Sequence, residues 1–244
     1  MSTTTPTPSS AGRNIARQRR FWTSRASSWD HDASSNPSLV KVVEAVIEAA
    51  APRASDEAVD LGCGSGQVTL GLAPKVRSVV AVDISEKMIE LLVGNARAKG
   101  VENVSGLAEP VESLALMPGS VDIVVTNYAL HHLRDSDKPA LVKSAYTWLR
   151  PGGRLVVGDM MFGRGGDSRD REIIASKLGL LVKKGPGGWW RIAKNAGRYL
   201  LRYQERPVSM AAWQKMFEAA GFQQIEARPV VNEAAVVVGV KPPG

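Results

Sequence analysis

The sequence is poor in cysteine, in histidine and in long apolar segments, and each scarcity narrows what the protein can be. Its 244 residues include one cysteine, Cys63, so no disulfide can form within the chain and a reducing compartment is expected. No apolar run approaches the roughly 20 residues of a membrane-spanning helix. Three histidines, His31, His131 and His132, leave few candidates for a base at neutral pH. We expect one cytoplasmic domain, with or without a cap, and no metal site.

Acidic residues are absent from one basic segment of the chain and sparse in another. Residues 1–29 hold five arginines and no acid, and residues 162–206 hold eleven basic side chains and four acidic ones. Since these segments contribute +5 and +7 to a net charge of +7, the rest of the chain carries −5. This asymmetry predicts an anionic partner or surface near the two segments.

Three glycines at alternate positions, Gly62, Gly64 and Gly66, directly follow an apolar strand that contains Asp60. Glycine suits a turn whose backbone must take unusual dihedral angles and lie against a ligand. A second strand ends at Asp83, 21 residues after Gly62, where an acid can accept hydrogen bonds from a ribose diol. The pattern therefore predicts a nucleoside-cofactor site. Its G-x-G-x-G spacing differs from the G-x-G-x-x-G of dinucleotide-binding folds.

Four segments carry a resemblance to a known family. Residues 60–66, Asp-Leu-Gly-Cys-Gly-Ser-Gly, resemble motif I of the class I S-adenosylmethionine (SAM) methyltransferases. Residues 120–127 resemble the fourth strand, residues 127–133 the segment after it in the type-11 branch, and residues 149–157 the L-x-P-G-G-x-L hairpin that enters strand five. This branch includes ubiquinone and menaquinone C-methyltransferases and O-methyltransferases of natural products.

The resemblance implies an α/β fold with a Rossmann-like, seven-stranded, doubly wound sheet and a helical lid inserted after strand five. It divides the chain into a disordered tail, an N-terminal lid segment, a SAM-binding core, a basic helical insert over the substrate, and a C-terminal helix and strands that complete the core. The corresponding ranges are 1–12, 13–35, 36–161, 162–207 and 208–244.

Local signals place several helix ends. Asn36 before Pro37 predicts the start of the first core helix, and Ser85 can cap the helix after strand two. A later helix is expected from Ser209 to Ala220, closed by Gly221.

The resemblance also assigns residues to the cofactor SAM. Asp60, the glycine turn and Asn127 would hold its methionine end, Asp83 its ribose and Ile84 its adenine. Trp29 takes the place of a tyrosine in the family's F-x-x-x-A-x-x-Y-D segment, where an aromatic side chain commonly covers the cofactor; a tryptophan packed in the core is the alternative. The expected cofactor-binding residues are Trp29, Asp60, Gly62, Gly64, Gly66, Asp83, Ile84, Ala108, Glu109 and Asn127.

One position departs from the family pattern. Leu107 stands where the family's G-D-A-E segment has the aspartate that binds the adenine amino group. Adenine must then be recognised by the backbone near Ala108, by Glu109, or less tightly. The departure concerns the affinity for the cofactor and leaves the fold prediction unchanged.

Methyl transfer requires alignment of nucleophile and methyl group, and in some cases removal of a proton from the nucleophile. His131 and His132 follow strand four, where the family brings cofactor and substrate together, and Asp159 ends strand five beside them. We expect His131 to be the base and Asp159 to orient its imidazole. In the alternative interpretation one or both histidines only close the turn between strand and helix.

Three functions stay open on this evidence. The leading hypothesis is methylation of a small organic acceptor, lipophilic or anionic, at oxygen or at a quinone-like ring carbon. The high content of basic residues favours nucleic-acid methylation, but residues 127–130 lack the D/N-P-P-Y/F motif of base amino-methyltransferases, so no nucleic acid is expected. A non-catalytic assembly protein is the third hypothesis. The basic insert with Trp189 and Trp190 could also make weak contact with an anionic membrane surface, or pack on the core.

Overall fold

The computed structural model describes residues 10–163, 168–182 and 205–243, and a seven-stranded sheet forms its centre. In chain order, strands β1 to β7 span Glu57–Leu61, Ser78–Asp83, Val104–Ala108, Val121–Asn127, Leu149–Met160, Gln223–Val231 and Ala234–Val240. They pair in the order β3-β2-β1-β4-β5-β7-β6, and all pairs are parallel except those that β7 makes with β5 and β6. The chain reverses its winding between β1 and β4, which opens a crevice at the carboxyl ends of these strands.

Helices flank this sheet on both faces, as a doubly wound fold requires. In chain order, the described helices α1 to α7 span Ser10–Ser35, Pro37–Ala50, Gln67–Leu72, Glu86–Ala98, Asp137–Trp148, Ser168–Val182 and Met210–Ala220. α5 and α7 cover one face, where Trp213 and Phe217 are buried. α2 and α3 cover the other face, where Val46 is buried. Neighbouring residues of β4, Val124 and Val125, join opposite clusters because side chains alternate along a strand.

The helix ends are set by local chemistry, as the sequence predicts. The side chain of Asn36 accepts a hydrogen bond at the start of α2, and Pro37 lies in the first turn. Ser85 and Ser209 cap α4 and α7 in the same way. Gly221 ends α7 with φ 101°, in the left-handed region that glycine adopts without strain. These caps satisfy backbone groups that the helices themselves leave unpaired.

The N-terminal segment forms one long helix, α1, that begins at Ser10. A disordered tail was expected through residue 12, so the helix begins inside that segment. The Gln18 side chain donates to the carbonyl of His132, 3.1 Å away, and the Arg19 side chain donates to the carbonyl of Ile84, 3.0 Å away. α1 therefore lies across the loops that follow β4 and β2.

Only the two ends of the insert after β5 fall within the described residues. At its start, Arg169 donates to the carbonyl of Met161 at 2.6 Å, and Asp170 accepts from the backbone N–H of Gly163 at 2.7 Å. These bonds fix the start of α6 beside the end of β5. Trp189 and Trp190, and the basic helix expected around them, lie outside the described residues. None of the described helices is both long enough and apolar enough to span a membrane.

Gly62 provides a test of how closely the chain approaches itself at the crevice. Its φ is 73°, and a Cβ atom at this position would lie 2.3 Å from the Cβ of Ala129. Gly62→Ala should therefore lower the free energy of unfolding by roughly 2–4 kcal/mol, through backbone strain and overpacking. Gly94 lies in α4, and apart from its chain neighbours and the backbone of its own helix no described atom lies within 4 Å of an added Cβ. As a matched control, Gly94→Ala should be neutral or stabilise by up to about 1 kcal/mol.

Urea unfolding of the two variants measures this difference. Equal stability of the two variants would show that the crevice relaxes around a side chain at Gly62.

Candidate active site

A cavity at the carboxyl ends of β1, β2 and β4 surrounds the glycine turn, and we call it the glycine-turn cavity. Seven of the ten residues predicted to bind the cofactor line it. They are Trp29, Asp60, Gly62, Gly64, Asp83, Ile84 and Asn127. These residues come from α1 and from three strand ends that are far apart in the sequence. The fold thus brings most of the predicted set together.

Asp60 is a buried acid with half of its carboxylate unsatisfied. The Thr69 hydroxyl donates to Oδ2 at 2.6 Å, whereas Oδ1 has no hydrogen-bond partner within the described structure. Burial raises the pKa of this carboxyl to about 7. Asn127 lines the same cavity, and its Oδ1 is also buried and lacks a described partner. Because buried acceptors without donors are rare, these two atoms indicate a ligand that donates hydrogen bonds.

Asp83 is held firmly at the end of β2. Its Oδ2 accepts from the backbone N–H of Gly64 at 3.0 Å, and its Oδ1 accepts from that of Ser85 at 2.9 Å. Burial raises the pKa of the Asp83 carboxyl. Each oxygen of an ionised carboxylate can accept more than one hydrogen bond, so both can still bind hydroxyl groups of a ligand.

The three glycines of the turn have different roles. The backbone N–H of Gly62 donates to the carbonyl of Val82 at 2.8 Å, which ties the turn to β2. A Cβ atom on Gly64 would lie 3.5 Å from the indole nitrogen of Trp29, so the predicted aromatic residue does lie against the turn. Gly66 does not line the cavity. It directly precedes α3 with φ 100°, and an added Cβ would lie 2.2 Å from Leu92, so its role is a left-handed turn with close packing.

The residues after β3 that the sequence predicts to recognise adenine lie outside the lining of the glycine-turn cavity. Neither Ala108 nor Glu109 lines the glycine-turn cavity, and Leu107 is 39% exposed at the sheet edge. The Glu109 backbone N–H instead donates to the carbonyl of Asp83 at 2.8 Å, which directs this segment along the strand ends. The next turn of the loop supplies lining residues that the sequence motif does not identify. They are Val111 and Glu112, which line the cavity together with Met88 and Leu133.

His131 and Asp159 form a buried pair, as predicted. His131 Nδ1 lies 2.6 Å from Asp159 Oδ1, and the His131 backbone N–H donates to Asp159 Oδ2 at 2.9 Å. Both side chains are at most 7% exposed. An ionised carboxylate can only accept, so Nδ1 carries the proton and Nε2 is left as the acceptor in the neutral ring. This arrangement fits a histidine that takes a proton from a bound group.

A second cavity adjoins the first, and we call it the His131 cavity. His131 lines only this cavity, whereas His132 lines both. The residues shared by the two cavities are Gln18, Trp22, Trp29, Leu39, Tyr128 and His132. Molecules bound in the two cavities would therefore lie next to each other at this shared boundary.

Tyr128 lies at that boundary with an unusual backbone. Its φ is 50°, which is rare for a bulky residue, and its N–H donates to the carbonyl of Gly158 at 2.8 Å. Such strain is concentrated at functional sites. The sequence gives no sign of this conformation. Trp22 and Gln18 could have been found, since they precede Trp29 at spacings that place all three on one face of a helix.

Arginines from both basic segments line the His131 cavity. Arg17 and Arg25 project from α1, and Arg206 comes from the end of the insert. The backbone N–H of Arg206 donates to the carbonyl of His131 at 2.6 Å. Lys138, 1% exposed, donates to the carbonyl of Arg206 at 2.8 Å. Arginines of α1 and the last residue of the second basic segment thus line one cavity beside His131.

Comparison with known proteins identifies the domain. A family model described as a methyltransferase domain matches residues 58–153. The chain is 25% identical over 186 residues to the ubiquinone/menaquinone biosynthesis C-methyltransferase UbiE of Zymomonas mobilis, covering 74% of this chain and 73% of that one. It is 34% identical over 112 residues to the 27-O-demethylrifamycin SV methyltransferase of Amycolatopsis mediterranei, covering 45% and 40%. The chain spans less than half the length of three further curated relatives, with matches that cover 44%, 47% and 22% of those proteins.

The fold is also found among solved structures. The 1,6-didemethyltoxoflavin-N1-methyltransferase of Burkholderia thailandensis, solved with 1,6-didemethyltoxoflavin and S-adenosylhomocysteine, superposes with a TM-score of 0.67. The alignment covers 98% of this chain and 93% of that one at 17% identity. The predicted class I methyltransferase fold is therefore confirmed, and residues 58–153 form a methyltransferase domain.

The state of Asp60 leads to a prediction about stability. Its folded pKa of about 7 exceeds the ordinary value of 3.8, so its contribution to stability is present below pH 4 and is lost as the pH rises through 7. Asp60→Asn removes the buried charge. At pH 8 the ligand-free variant should therefore be more stable than wild type by up to roughly 4 kcal/mol. The difference in unfolding free energy between the variant and wild type should be smaller at pH 5, where Asp60 is protonated in the folded wild type.

Denaturant unfolding at the two pH values measures this effect. A variant less stable than wild type at pH 8 would contradict it.

Proposed function

Since this chain contains a methyltransferase domain on the class I fold, we propose that it transfers a methyl group from SAM to a small organic acceptor, at oxygen. The observation that carries the proposal is that two residues lining one cavity, Asp60 and Asn127, each hold a buried acceptor oxygen without a described partner. SAM bears an ammonium group at its methionine end, and this group supplies the donors that both atoms lack. The residues present thus fit the cofactor.

Each part of the glycine-turn cavity has a role in holding the cofactor. Asp60 and Asn127 would accept from the ammonium group, and Asp83 would accept from the ribose hydroxyls. Ile84, Val111 and Met88 offer apolar contacts for adenine. Trp29 would cover the bound molecule and exclude water. When bound, SAM supplies a methyl group activated by its sulfonium for in-line displacement.

The acceptor would bind in the His131 cavity, with its nucleophilic atom near the boundary of the two cavities. His131 Nε2 would take the proton of an acceptor hydroxyl, while Asp159 holds the ring through Nδ1 and stabilises the imidazolium that forms. A neutral amine needs no such removal before it attacks. The buried histidine–aspartate pair therefore favours an oxygen acceptor.

The names of the relatives specify carbon, oxygen and nitrogen as acceptor atoms in those proteins. The fold therefore does not determine the acceptor atom, and the choice of oxygen rests on His131 and Asp159. The non-catalytic hypothesis also has to account for two unsatisfied acceptors and a buried base, none of which an assembly role requires.

Calorimetric titration tests the cofactor assignment. SAM and S-adenosylhomocysteine should bind, and NAD should not bind at the same concentration. Asp83→Ala should weaken SAM binding by roughly 2–4 kcal/mol, because charge-assisted hydrogen bonds to the ribose are lost. Glu90→Ala in α4 is the matched control, since Glu90 is 64% exposed and forms a surface ion pair with Lys87. Unchanged SAM affinity in Asp83→Ala would refute the assignment.

Variants of the buried pair test the base. With an acceptor found by screening for transfer of labelled methyl, His131→Ala should lower kcat by about 10²–10⁴-fold and leave the affinity for S-adenosylhomocysteine unchanged. Asp159→Asn should act in the same direction, and the double variant should be little worse than the worse single one. His31→Ala is the control, because His31 is exposed and lines neither cavity. Turnover near wild type in His131→Ala would show that this histidine is structural.

A further inference from the structure

The walls of the His131 cavity carry an excess of positive charge. Its described lining includes three arginines, Arg17, Arg25 and Arg206, and one carboxylate, Glu205. The arginines approach from two separate elements, α1 and the end of the insert. Because the rest of the chain outside the two basic segments carries net negative charge, this concentration is local. A cavity of this kind favours an anionic ligand.

The same cavity has aromatic walls. Phe21, Trp22 and Trp29 reach it from α1, and Tyr128 lines it from the loop after β4, with its ring centroid 6.5 Å from that of His131. Trp22 packs edge-on against Trp29, with 5.5 Å between the ring centroids. Flat aromatic surfaces bind planar apolar groups by stacking and edge contacts. The lining therefore suits an aromatic ring that carries a charged substituent.

The guanidinium groups of α1 are held in place before any ligand binds. Arg25 lies over the ring of Phe21, with 5.0 Å from its Cζ to the ring centroid. Arg17 donates to Asn14 Oδ1 at 2.9 Å. Residues 17, 21 and 25 follow at intervals of four, so they lie on one face of α1. Ordered arginines lose less entropy when they bind an oxyanion.

The backbone of Arg206 is hydrogen-bonded directly to the backbone of His131, the proposed base. Its backbone N–H donates to the carbonyl of His131, and its own carbonyl accepts from the buried Lys138. Lys138 also donates to the carbonyl of Leu133 at 3.1 Å, so it joins the loop after β4 to the end of the insert. The position of this arginine relative to His131 is thus fixed by the backbone.

We propose that the acceptor is an aromatic hydroxyl compound that bears an anionic group, either a carboxylate or a phosphate. Its hydroxyl would meet His131 Nε2, and its anionic group would bind the guanidinium groups of Arg17 and Arg25. The aromatic side chains of α1 would hold its ring. This inference rests on the function proposed above and adds the chemical class of the acceptor.

Matched probes test the charge preference in protein saturated with S-adenosylhomocysteine. The probes 4-hydroxybenzoate and 4-hydroxybenzamide have nearly the same shape and differ in charge, and ligand-observed NMR titration measures their dissociation constants. The benzoate should bind roughly 10–100-fold more tightly, as expected for hydrogen bonds to a charged group. 4-Hydroxyphenyl phosphate in the same titration distinguishes a phosphate preference from a carboxylate preference.

Variants of Arg17 and Arg25 test whether these two residues cause the preference for the anionic probe. The double variant Arg17→Gln, Arg25→Gln should bind the benzoate no better than the benzamide and should keep its affinity for S-adenosylhomocysteine, because neither arginine lines the glycine-turn cavity. Arg77→Gln is the control for loss of positive charge, since Arg77 is exposed just before β2, at the opposite end of the sheet. It should behave as wild type. Added salt should reduce the preference for the anionic probes.

The outcomes separate the two proposals. If S-adenosylhomocysteine does not bind to wild type, the proposed function itself fails. If it binds but the anionic and neutral probes bind equally, or none of them binds at millimolar concentration, only the anionic acceptor is overturned. A preference that survives in the double variant would also overturn it, because the charge would then be recognised elsewhere.

Discussion

A carboxylate kept away from water at the end of β1 is the constraint on which the site depends. Asp60 is 1% exposed, and one of its oxygens has no donor in the part of the chain that the structure describes. Burying such a group without full compensation lowers the stability of the ligand-free protein. A bound cation reverses that effect, so the same feature that weakens the fold alone strengthens the complex. The free-energy cost of burying the Asp60 carboxylate in the ligand-free protein is thus relieved when a cation binds, and this relief adds to the affinity for that cation.

The five residues from Asn127 to His131, at the end of β4 and in the loop after it, include residues that line each of the two cavities. Asn127 lines the glycine-turn cavity, His131 lines the His131 cavity, and Tyr128 lines both. The positive φ of Tyr128 lets the chain turn sharply between them. Asp159, at the end of the neighbouring strand, then fixes His131 through two hydrogen bonds. One short backbone segment therefore positions residues of both the proposed cofactor cavity and the proposed acceptor cavity.

Features of the fold that depend on near neighbours in the chain could be predicted from the sequence. Asn36 and Ser85 cap their helices because each accepts a hydrogen bond from a residue two or three positions later. The contact between Gln18 and His132 joins residues 114 positions apart and has no local signal. The placement of Ala108 and Glu109 outside the cavity likewise depends on how the loop after β3 packs. Composition predicts a disordered tail over residues 1–12, whereas residues 10–12 are described as part of α1.

The methyltransferase family model covers most residues of the proposed cofactor cavity but few of those that line the His131 cavity. Asp60, Asp83 and Asn127 fall within the matched domain, residues 58–153, and so does His131. Asp159 and the arginines of the His131 cavity all lie outside it. The family-model match therefore includes most of the residues proposed to hold the cofactor and the proposed base, and excludes Trp29 and the side chains proposed to recognise the acceptor. Because α1 and the insert supply those side chains, changes there can alter the acceptor without disturbing the sheet or the glycine turn.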